Sequence, residues 1–208
     1  MSLLAAAASS TGDVNSTIVL LDGTLATIRV TTTTDHEALR HFFHQLSPEM
    51  HRRRFFSLAD PPERLIDAFS NSSDPERQAT LVALRLAGDV LRPIAVGSYL
   101  GVTNGVAEVA FAVGDAVHGR GLGTILLEEL ATMAAANGVL QFQATVLAEN
   151  EEMLKVFRDS GFEIRSTSER GVVTVILSLR PTAESVAAAK RRHQPMIATA
   201  ARAAALKG

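Results

Sequence analysis

His118-Gly119-Arg120-Gly121-Leu122-Gly123-Thr124 is the stretch on which the reading of this chain turns. It stands between an apolar, strand-like run from Val106 to Val113 and a run from Ile125 to Ala136 that reads as a strongly amphipathic helix. A strand that ends in a glycine-rich turn and opens a helix is a ready anion site. The first helical amides have no internal partner, and the helix dipole favours negative charge there. Gly121 and Gly123 lack a Cβ, so a phosphate can approach the backbone closely. Three glycines at alternate positions therefore predict a cradle for a pyrophosphate. The competing reading is a plain strand-to-helix turn in which glycine only permits tight packing.

The spacing narrows the ligand. The dinucleotide fingerprint is G-x-G-x-x-G with an acidic residue about 20 positions on. Here the spacing is G-x-G-x-G, and the next strand-like run, Val139 to Val146, holds no acid. The ATP loop G-x-x-x-x-G-K-[ST] is absent, since no lysine follows any of these glycines.

Length and composition set the frame. A chain of 208 residues suffices for one domain with a real core and some tail. The net charge of −2 gives no argument for nucleic-acid binding. There is no cysteine, which excludes a disulfide, a thiolate zinc site and a cysteine nucleophile, and suits a cytoplasmic protein. No apolar run reaches the roughly 18–20 residues of a membrane span. Leu3 to Ala8 is too short, and lacks the basic flank, for a signal peptide.

Outward from the loop, Asn104-Gly105 predicts a tight hairpin that makes Ala95–Val102 and Val106–Val113 antiparallel neighbours. Asp22-Gly23 predicts another, between Ile18–Leu21 and Thr24–Val30. Asp35 is expected to cap a helix to about Leu46, with Leu39, Phe42, Phe43 and Leu46 on one face. Ser47-Pro48-Glu49 restarts a second helix, and Pro61-Pro62 opens a third to about Ser70. Gln78–Leu86 and Arg92–Thr103 read as strands around a turn at Gly88-Asp89. Asn137-Gly138 ends the helix after the loop. A strand over 139–147, a helix from Asn150 to Ser160 and strands at Phe162–Thr167 and Val172–Leu179 complete the order. Residues 1–16 are expected to be disordered, residues 17–180 to form the domain, and the alanine-rich residues 181–208 to form a tail or linker outside the core. The fold class is mixed α/β (α+β), with helices on both faces of the sheet.

These elements and two linked motifs resemble the GNAT superfamily of acyl-CoA-dependent N-acetyltransferases. The family's cofactor motif [QR]-x-x-G-x-[GA] is matched by His118-x-x-Gly121-x-Gly123, with histidine in the first place. A second signature is matched by Asn150, Phe157 and Gly161-Phe162. A narrower resemblance is to bacterial Pat-type protein-lysine acetyltransferases. It rests on Val106 to Val113 followed by the loop, and on Leu46-Ser-Pro-Glu49 with Arg54-Phe-Phe56. Many of these are fused to an acyl-CoA-synthetase-like domain, and the tail from Pro181 looks like a linker into one.

The resemblance implies a mixed, mostly antiparallel sheet of six to seven strands. It also implies acetyl-CoA as cosubstrate, no metal, and transfer to a lysine on a protein, an acyl-CoA synthetase being the expected acceptor. Pyrophosphate would be held by amides from Gly119 to Thr124, with His118, Arg120 and Leu122 in the same loop. Phe111, Ala112 and Val113 would pair with the pantetheine arm, and Asn150 would contact it from the other side. The amide of Ala112 or Val113 would polarise the thioester carbonyl. Glu108 is the candidate general base, on the face it shares with Ala110 and Ala112 under a period of two. The competing reading is an edge-exposed or salt-bridged glutamate.

Many relatives carry a tyrosine where Phe157 stands, so proton donation to the leaving thiolate must come from elsewhere. Tyr99, the only tyrosine, reads as packing. His51-Arg-Arg-Arg54 reads as the solvated face of a helix in preference to a dock for an acidic protein surface. His36, His41 and His44 have helical spacing without evident metal partners. Two alternatives to a protein-lysine acetyltransferase are an acyl-CoA-binding regulatory module and an acetyltransferase acting on a small amine.

Overall fold

The computed structural model of the protein describes residues 15–20 and 22–188. The readings of residues 1–14, of Leu21 and of the tail from residue 189 lie outside the described residues.

The chain runs β1 (Asn15–Val19), β2 (Leu25–Val30), α1 (His36–His44), α2 (Pro48–Phe55), α3 (Glu63–Ser70), β3 (Ala79–Ala87), β4 (Val90–Thr103) and β5 (Val106–Val113). It continues with α4 (Leu122–Ala136), β6 (Gln141–Leu147), α5 (Glu151–Asp159), β7 (Ile164–Glu169) and β8 (Val172–Ser178). All eight strands join one sheet in the order β1-β2-β3-β4-β5-β6-β8-β7. Every neighbouring pair is antiparallel except β5 and β6. The sheet exceeds the expected six to seven strands because the β1–β2 hairpin pairs onto β3, from Val30↔Leu81 to Thr27↔Leu84. β1 also begins at Asn15, inside the segment expected to be disordered.

Local chemistry explains the main turns. Asn104 and Gly105 both take positive φ, 51° and 76°, as a two-residue hairpin turn needs, and Thr103 then faces Val106. At the first hairpin Gly23 sits at φ 80°, and the Asp22 carboxylate accepts from the Thr24 amide and hydroxyl at 3.1 and 2.7 Å. Ser47 caps α2 by accepting from the Met50 amide. Its own amide and hydroxyl donate to Asp115, just beyond β5, which fixes the start of α2 against the end of that strand.

Asp35 does not cap α1. A 3₁₀ turn over Thr33–Asp35 precedes the helix, so Asp35 has helical backbone angles and its carboxylate turns back. It accepts from Arg29 at 2.6 and 2.7 Å and from the Thr32 amide at 2.8 Å.

The sheet carries two cores. Leu39, Phe42 and Phe43 of α1 and Ile66 and Phe69 of α3 pack on Val82, Leu84, Val96 and Ala112, with Met50 and Phe55 of α2 alongside. On the opposite face α4 packs on Ala79, Leu81, Ala95, Tyr99, Val109 and Phe142, with Phe111, Val113 and Phe157. Tyr99 is fully buried there and donates to the Pro75 carbonyl. α4 is less one-sided than expected. Leu122, Ile125, Leu126, Leu127, Leu130, Ala131 and Ala134 are all buried, and so is Glu128. The helix lies on β3, β4 and β5 and against α5, so most of its circumference is covered.

The first turns of the expected tail dock on the domain. Residues 183–188 are helical, with the Thr182 hydroxyl accepting from the Ser185 amide and donating to the Gly161 carbonyl at 2.9 Å. Gly161, at φ 78°, makes this approach possible: a Cβ there would stand 3.0 Å from the backbone of Glu184 and Ser185. Among the described residues no helix is long and apolar enough to cross a membrane.

Candidate active site

β5 and β6 pair over only three positions, Val106↔Gln141, Ala107↔Phe142 and Glu108↔Gln143. Past Glu108, β5 stays with β4 as far as Val113↔Ala95, and β6 stays with β8 as far as Leu147↔Val172. The two strands therefore part, and a cleft of about 340 Å³ opens between Val109–Val113 and Ala144–Val146. The glycine loop and α5 line it on one face of the sheet, and Met50, Arg53 and Arg54 of α2 line it on the other. The volume suits a small-molecule site.

The hydrogen-bond phase of β5 decides what the cleft offers. Gly114 donates to the Ile94 carbonyl at 2.9 Å, while the Gly105 carbonyl accepts from Leu140 and Gln141 on the other side. In an antiparallel ladder the direction of the backbone polar groups alternates. Even-numbered residues of β5 thus bond to β4, and Val109, Phe111 and Val113 turn their amides and carbonyls into the cleft. This separates the two candidate oxyanion donors: Val113 presents its amide, whereas Ala112 bonds toward Val96 and buries its side chain under α1–α3. The free row is an exposed strand edge that an amide-bearing chain can extend.

Gly121 is the N-cap of α4, at φ 83°, and no side chain caps the helix. Ile125 is the first residue to bond back, to Gly121, so the amides of Leu122, Gly123 and Thr124 have no helical partner. The first turn contains no acidic residue, although the dipole would favour one. A Cβ on Gly119 or Gly121 would meet nothing within 4 Å, and one on Gly123 only Val156 at 3.5 Å. Alanine fits at Gly123, in keeping with the Gly/Ala choice of the motif. The residues present fit a pyrophosphate: free donors, no competing carboxylate and open space above the loop.

The two basic side chains of the loop are tied elsewhere. Arg120 pairs with Asp22 of the β1–β2 turn. His118 Nδ1 lies 2.9 Å from Glu152 of α5, which leaves Nε2 uncommitted among the described residues. Asn150 caps α5 by accepting from the Met153 amide at 3.2 Å, and its Nδ2 donors have no partner among the described residues. Phe157 is buried and meets Phe111 edge-on, with centroids 6.3 Å apart.

Glu108 is exposed, at the last rung of the β5–β6 ladder and on the α2 side of the sheet. It has no ion-pair partner within 4.0 Å among the described residues. It does not line the cleft wall itself, which begins at Val109.

The arginine run departs from the solvated face expected of it. His51 is buried. Arg52 pairs with Glu149, and Arg53 with Glu49 and Glu152, which straps α2 to the start of α5 across the cleft. Arg54 points inward. Its guanidinium lies 4.9 and 5.2 Å from the centres of Phe55 and Phe69 and donates to Ser98 Oγ at 3.3 Å. Burial pushes Arg54 down to about 10, with the Glu108 carboxylate acting in the opposite direction, so it stays charged at neutral pH. Met50, Arg53 and Arg54 are among the site residues that sequence reasoning missed, together with Val109 and the β6 wall from Ala144 to Val146. The arginine run itself was visible, but nothing in the sequence says which arginine turns in. Among the described residues no three His, Asp or Glu side chains form a metal-binding group.

A splayed parallel strand pair with a capless, glycine-opened helix at its mouth has a matching family. The chain matches the Acetyltransferase (GNAT) family over residues 38–162 and belongs to it. The family uses acetyl-CoA as its acyl donor, so this is a GNAT acetyltransferase domain. It is 38% identical over 76 residues to the acetyltransferase Pat of Mycolicibacterium smegmatis, an alignment that takes in 36% of this chain and 22% of that enzyme. The matched stretch thus spans about a fifth of that relative's length. The GNAT domain of S. lividans PAT superposes with a TM-score of 0.69 at 33% identity, over 79% of this chain and 96% of that one. The acetyltransferase yncA of Salmonella typhimurium, solved with its cofactor acetyl-CoA, shares the fold at a TM-score of 0.58 and 19% identity, over 76% and 96% of the two chains.

Proposed function

We propose that this domain transfers the acetyl group of acetyl-CoA to the ε-amine of a lysine on a protein, an acyl-CoA synthetase, with Glu108 as general base. The likeness to Pat enzymes supports the protein-lysine acceptor. The observation that carries the role of Glu108 is its place: an unpaired carboxylate on the rung where the cleft opens, on the α2 side and away from the glycine loop.

A lysine ammonium has a pKa near 10.4, so under ~0.1% is neutral at pH 7 in water. Glu108, directly or through one water, takes a proton from the ammonium. The freed amine attacks the thioester carbonyl that acetyl-CoA supplies. A C–N bond forms, the C–S bond breaks, and the second amine proton leaves with the thiol or passes to water. Val113 donates its free amide to the carbonyl oxygen as charge develops there. Val109 and Phe111 extend the strand edge along the pantetheine arm, Asn150 Nδ2 closes on it from α5, and the amides of Leu122 to Thr124 hold the pyrophosphate. Phe157 has no proton to give, so the departing sulfur is protonated by water or leaves as thiolate.

Glu108→Gln tests the reading. Turnover should fall roughly 10²–10⁴-fold, the usual contribution of a positioned base. Calorimetric acetyl-CoA affinity should stay the same, because backbone amides hold the cofactor. The defect should shrink as pH rises toward the lysine pKa. Near-normal turnover of the variant on a protein substrate at neutral pH would sink the role of Glu108. A wild type inert toward every protein and amine would point instead to a regulatory acyl-CoA-binding module.

A further inference from the structure

The geometry points to an acceptor that carries a carboxylate beside its amine, with Arg54 as the residue that takes the carboxylate. The inference rests on the reading of Glu108 as the base of this cleft.

Three adjacent arginines meet two different fates. Arg52 and Arg53 each have glutamate partners. Arg54 has no carboxylate within 4.0 Å among the described residues, although it is the one that turns toward the sheet. It lies against two phenylalanine rings, and one of its five donors reaches the Ser98 hydroxyl. Holding a half-buried guanidinium against two rings costs solvation that an anion would restore. Arg54 lines the cleft, so an anion arriving there has access to it.

The register places Arg54 relative to Glu108. Ser98 pairs with Ala110, and Leu100 with Glu108. Ser98, which accepts from the Arg54 guanidinium, and Glu108 therefore share one face of the β4–β5 ladder, one diagonal apart, a residue spacing of about 7–8 Å. The guanidinium and the Glu108 carboxylate do not close into an ion pair. A positive and a negative group held apart at a cleft mouth match a ligand with the opposite pair, an ammonium for Glu108 and a carboxylate for Arg54. Glu49 and Glu152 neutralise Arg53, so the uncompensated cation on the α2 side is Arg54. A bare lysine ammonium placed beside Arg54 is repelled, and a carboxylate next to it reverses the sign. The carboxylate has two possible sources, an acidic residue flanking the acceptor lysine of a protein or the α-carboxylate of a free amino acid.

The test uses two pairs of probes on wild type: lysine heptapeptides flanked by glutamate or by glutamine, and L-methionine or its methyl ester. Acetylation is followed by mass spectrometry. Binding is read separately by calorimetry on CoA-saturated protein, using the same peptides with norleucine in place of lysine. The carboxylate-bearing probe of at least one pair should be preferred about tenfold or more in kcat/KM, the scale of one charge-assisted hydrogen bond. The pair that shows the preference identifies the source, and a preference for the glutamate-flanked peptide should also appear in binding. Arg54→Gln should reduce the preference to within about twofold, and Arg54→Lys should keep its direction, since only the point charge is retained. Acetyl-CoA affinity should not change in either variant. Equal use of both probes in both pairs by wild type overturns the proposal. So does a preference that survives in Arg54→Gln. Should Arg54→Gln fail to fold, the wild-type preference and Arg54→Lys decide. Selective binding of the glutamate peptide with no acetylation of any probe would instead overturn the transfer reading and leave the role of Arg54 standing.

Discussion

Replacing Gly121 with alanine separates what the loop does for the fold from what it does for the ligand. Gly121 caps α4 at φ 83°, and a Cβ there would meet no protein atom within 4 Å. The cost to the fold is conformational alone, about 1–2 kcal/mol for an L-residue in the left-handed region. At about 2–4 °C per kcal/mol for a chain of this size, the melting temperature should fall by about 2–8 °C. Gly88, in the β3–β4 turn, has φ 64° and equally open surroundings, so Gly88→Ala carries a similar cost far from the cleft. The two variants should differ only toward acetyl-CoA. In the proposed cradle, a methyl at Gly121 stands in the path of a phosphate approaching the amides of Leu122 to Thr124. Losing one charge-assisted hydrogen bond there is worth about 1.5–3 kcal/mol, or roughly 10–150-fold in affinity. Gly88→Ala should bind acetyl-CoA within about twofold of wild type. Scanning fluorimetry gives the melting temperatures and calorimetry the affinities. If Gly121→Ala melts lower as expected but binds acetyl-CoA like wild type, the loop is a packing turn and the pyrophosphate cradle is wrong.

Two further outcomes follow from single contacts. Burial pushes the Asp35 carboxyl up, but the Arg29 hydrogen bonds and the Thr32 amide outweigh it and hold the group below its ordinary value. Its contribution to stability is therefore complete above the unfolded value of about 4 and is lost as pH falls through the lower folded one. Asp35→Asn should cost about 1.5–3 kcal/mol at neutral pH and flatten the loss of stability below pH ~4 in denaturant titrations. A parallel pH profile in the variant would remove Asp35 from the acid limb. Phe157→Tyr should leave turnover within about threefold or raise it, because a phenol at the cleft wall only adds a proton donor. A collapse in turnover with intact acetyl-CoA affinity would show that the ring itself positions the reacting group.

Local chemistry was readable in the sequence, and long-range arrangement was not. Asn104-Gly105 predicted a hairpin because the turn needs two residues at positive φ, a demand those side chains advertise, whereas the bulge that shifts the register between Leu100 and Thr103 left no such mark. Ser47-Pro48 predicted the start of α2 for the same kind of reason. Asp35 misled because the pattern of a cap is local, while its partner Arg29 comes from a strand across the turn. The placement of β8 between β6 and β7 left no local mark. Nor did the parting of β5 and β6 after three rungs, which depends on what each strand pairs with on its other side. The alternation of Glu108 with Val109 placed the carboxylate on the correct face, but only the splay shows that this face lies at the mouth of a cleft. The arginine run shows the limit most clearly. A helix with three consecutive cations reads as solvated, yet Arg52 and Arg53 find glutamates 97 and 99 residues away in sequence.

The cleft also bears on how the acetyl group travels. It passes through the sheet, with the glycine loop at one face and α2 at the other. Donor and acceptor can thus approach the Val109–Val113 edge from opposite sides at the same time. A relay through the protein would need a nucleophile along that path. The chain has no cysteine, and Lys155, the one lysine on the wall, is paired with Asp159. Of the cleft hydroxyls, Thr124 lies in the first turn of α4 and Thr145 on β6, while His118 Nδ1 is taken by Glu152. Hydroxyl nucleophiles need an adjacent base to activate them, and no Thr–His hydrogen bond supplies one among the described residues. The arrangement therefore favours direct attack by the acceptor amine. In that case the protein does not need to lower the barrier through an acyl-enzyme. Its task is to hold two substrates in line through a gap in the sheet, with a carboxylate at the rung where the gap begins.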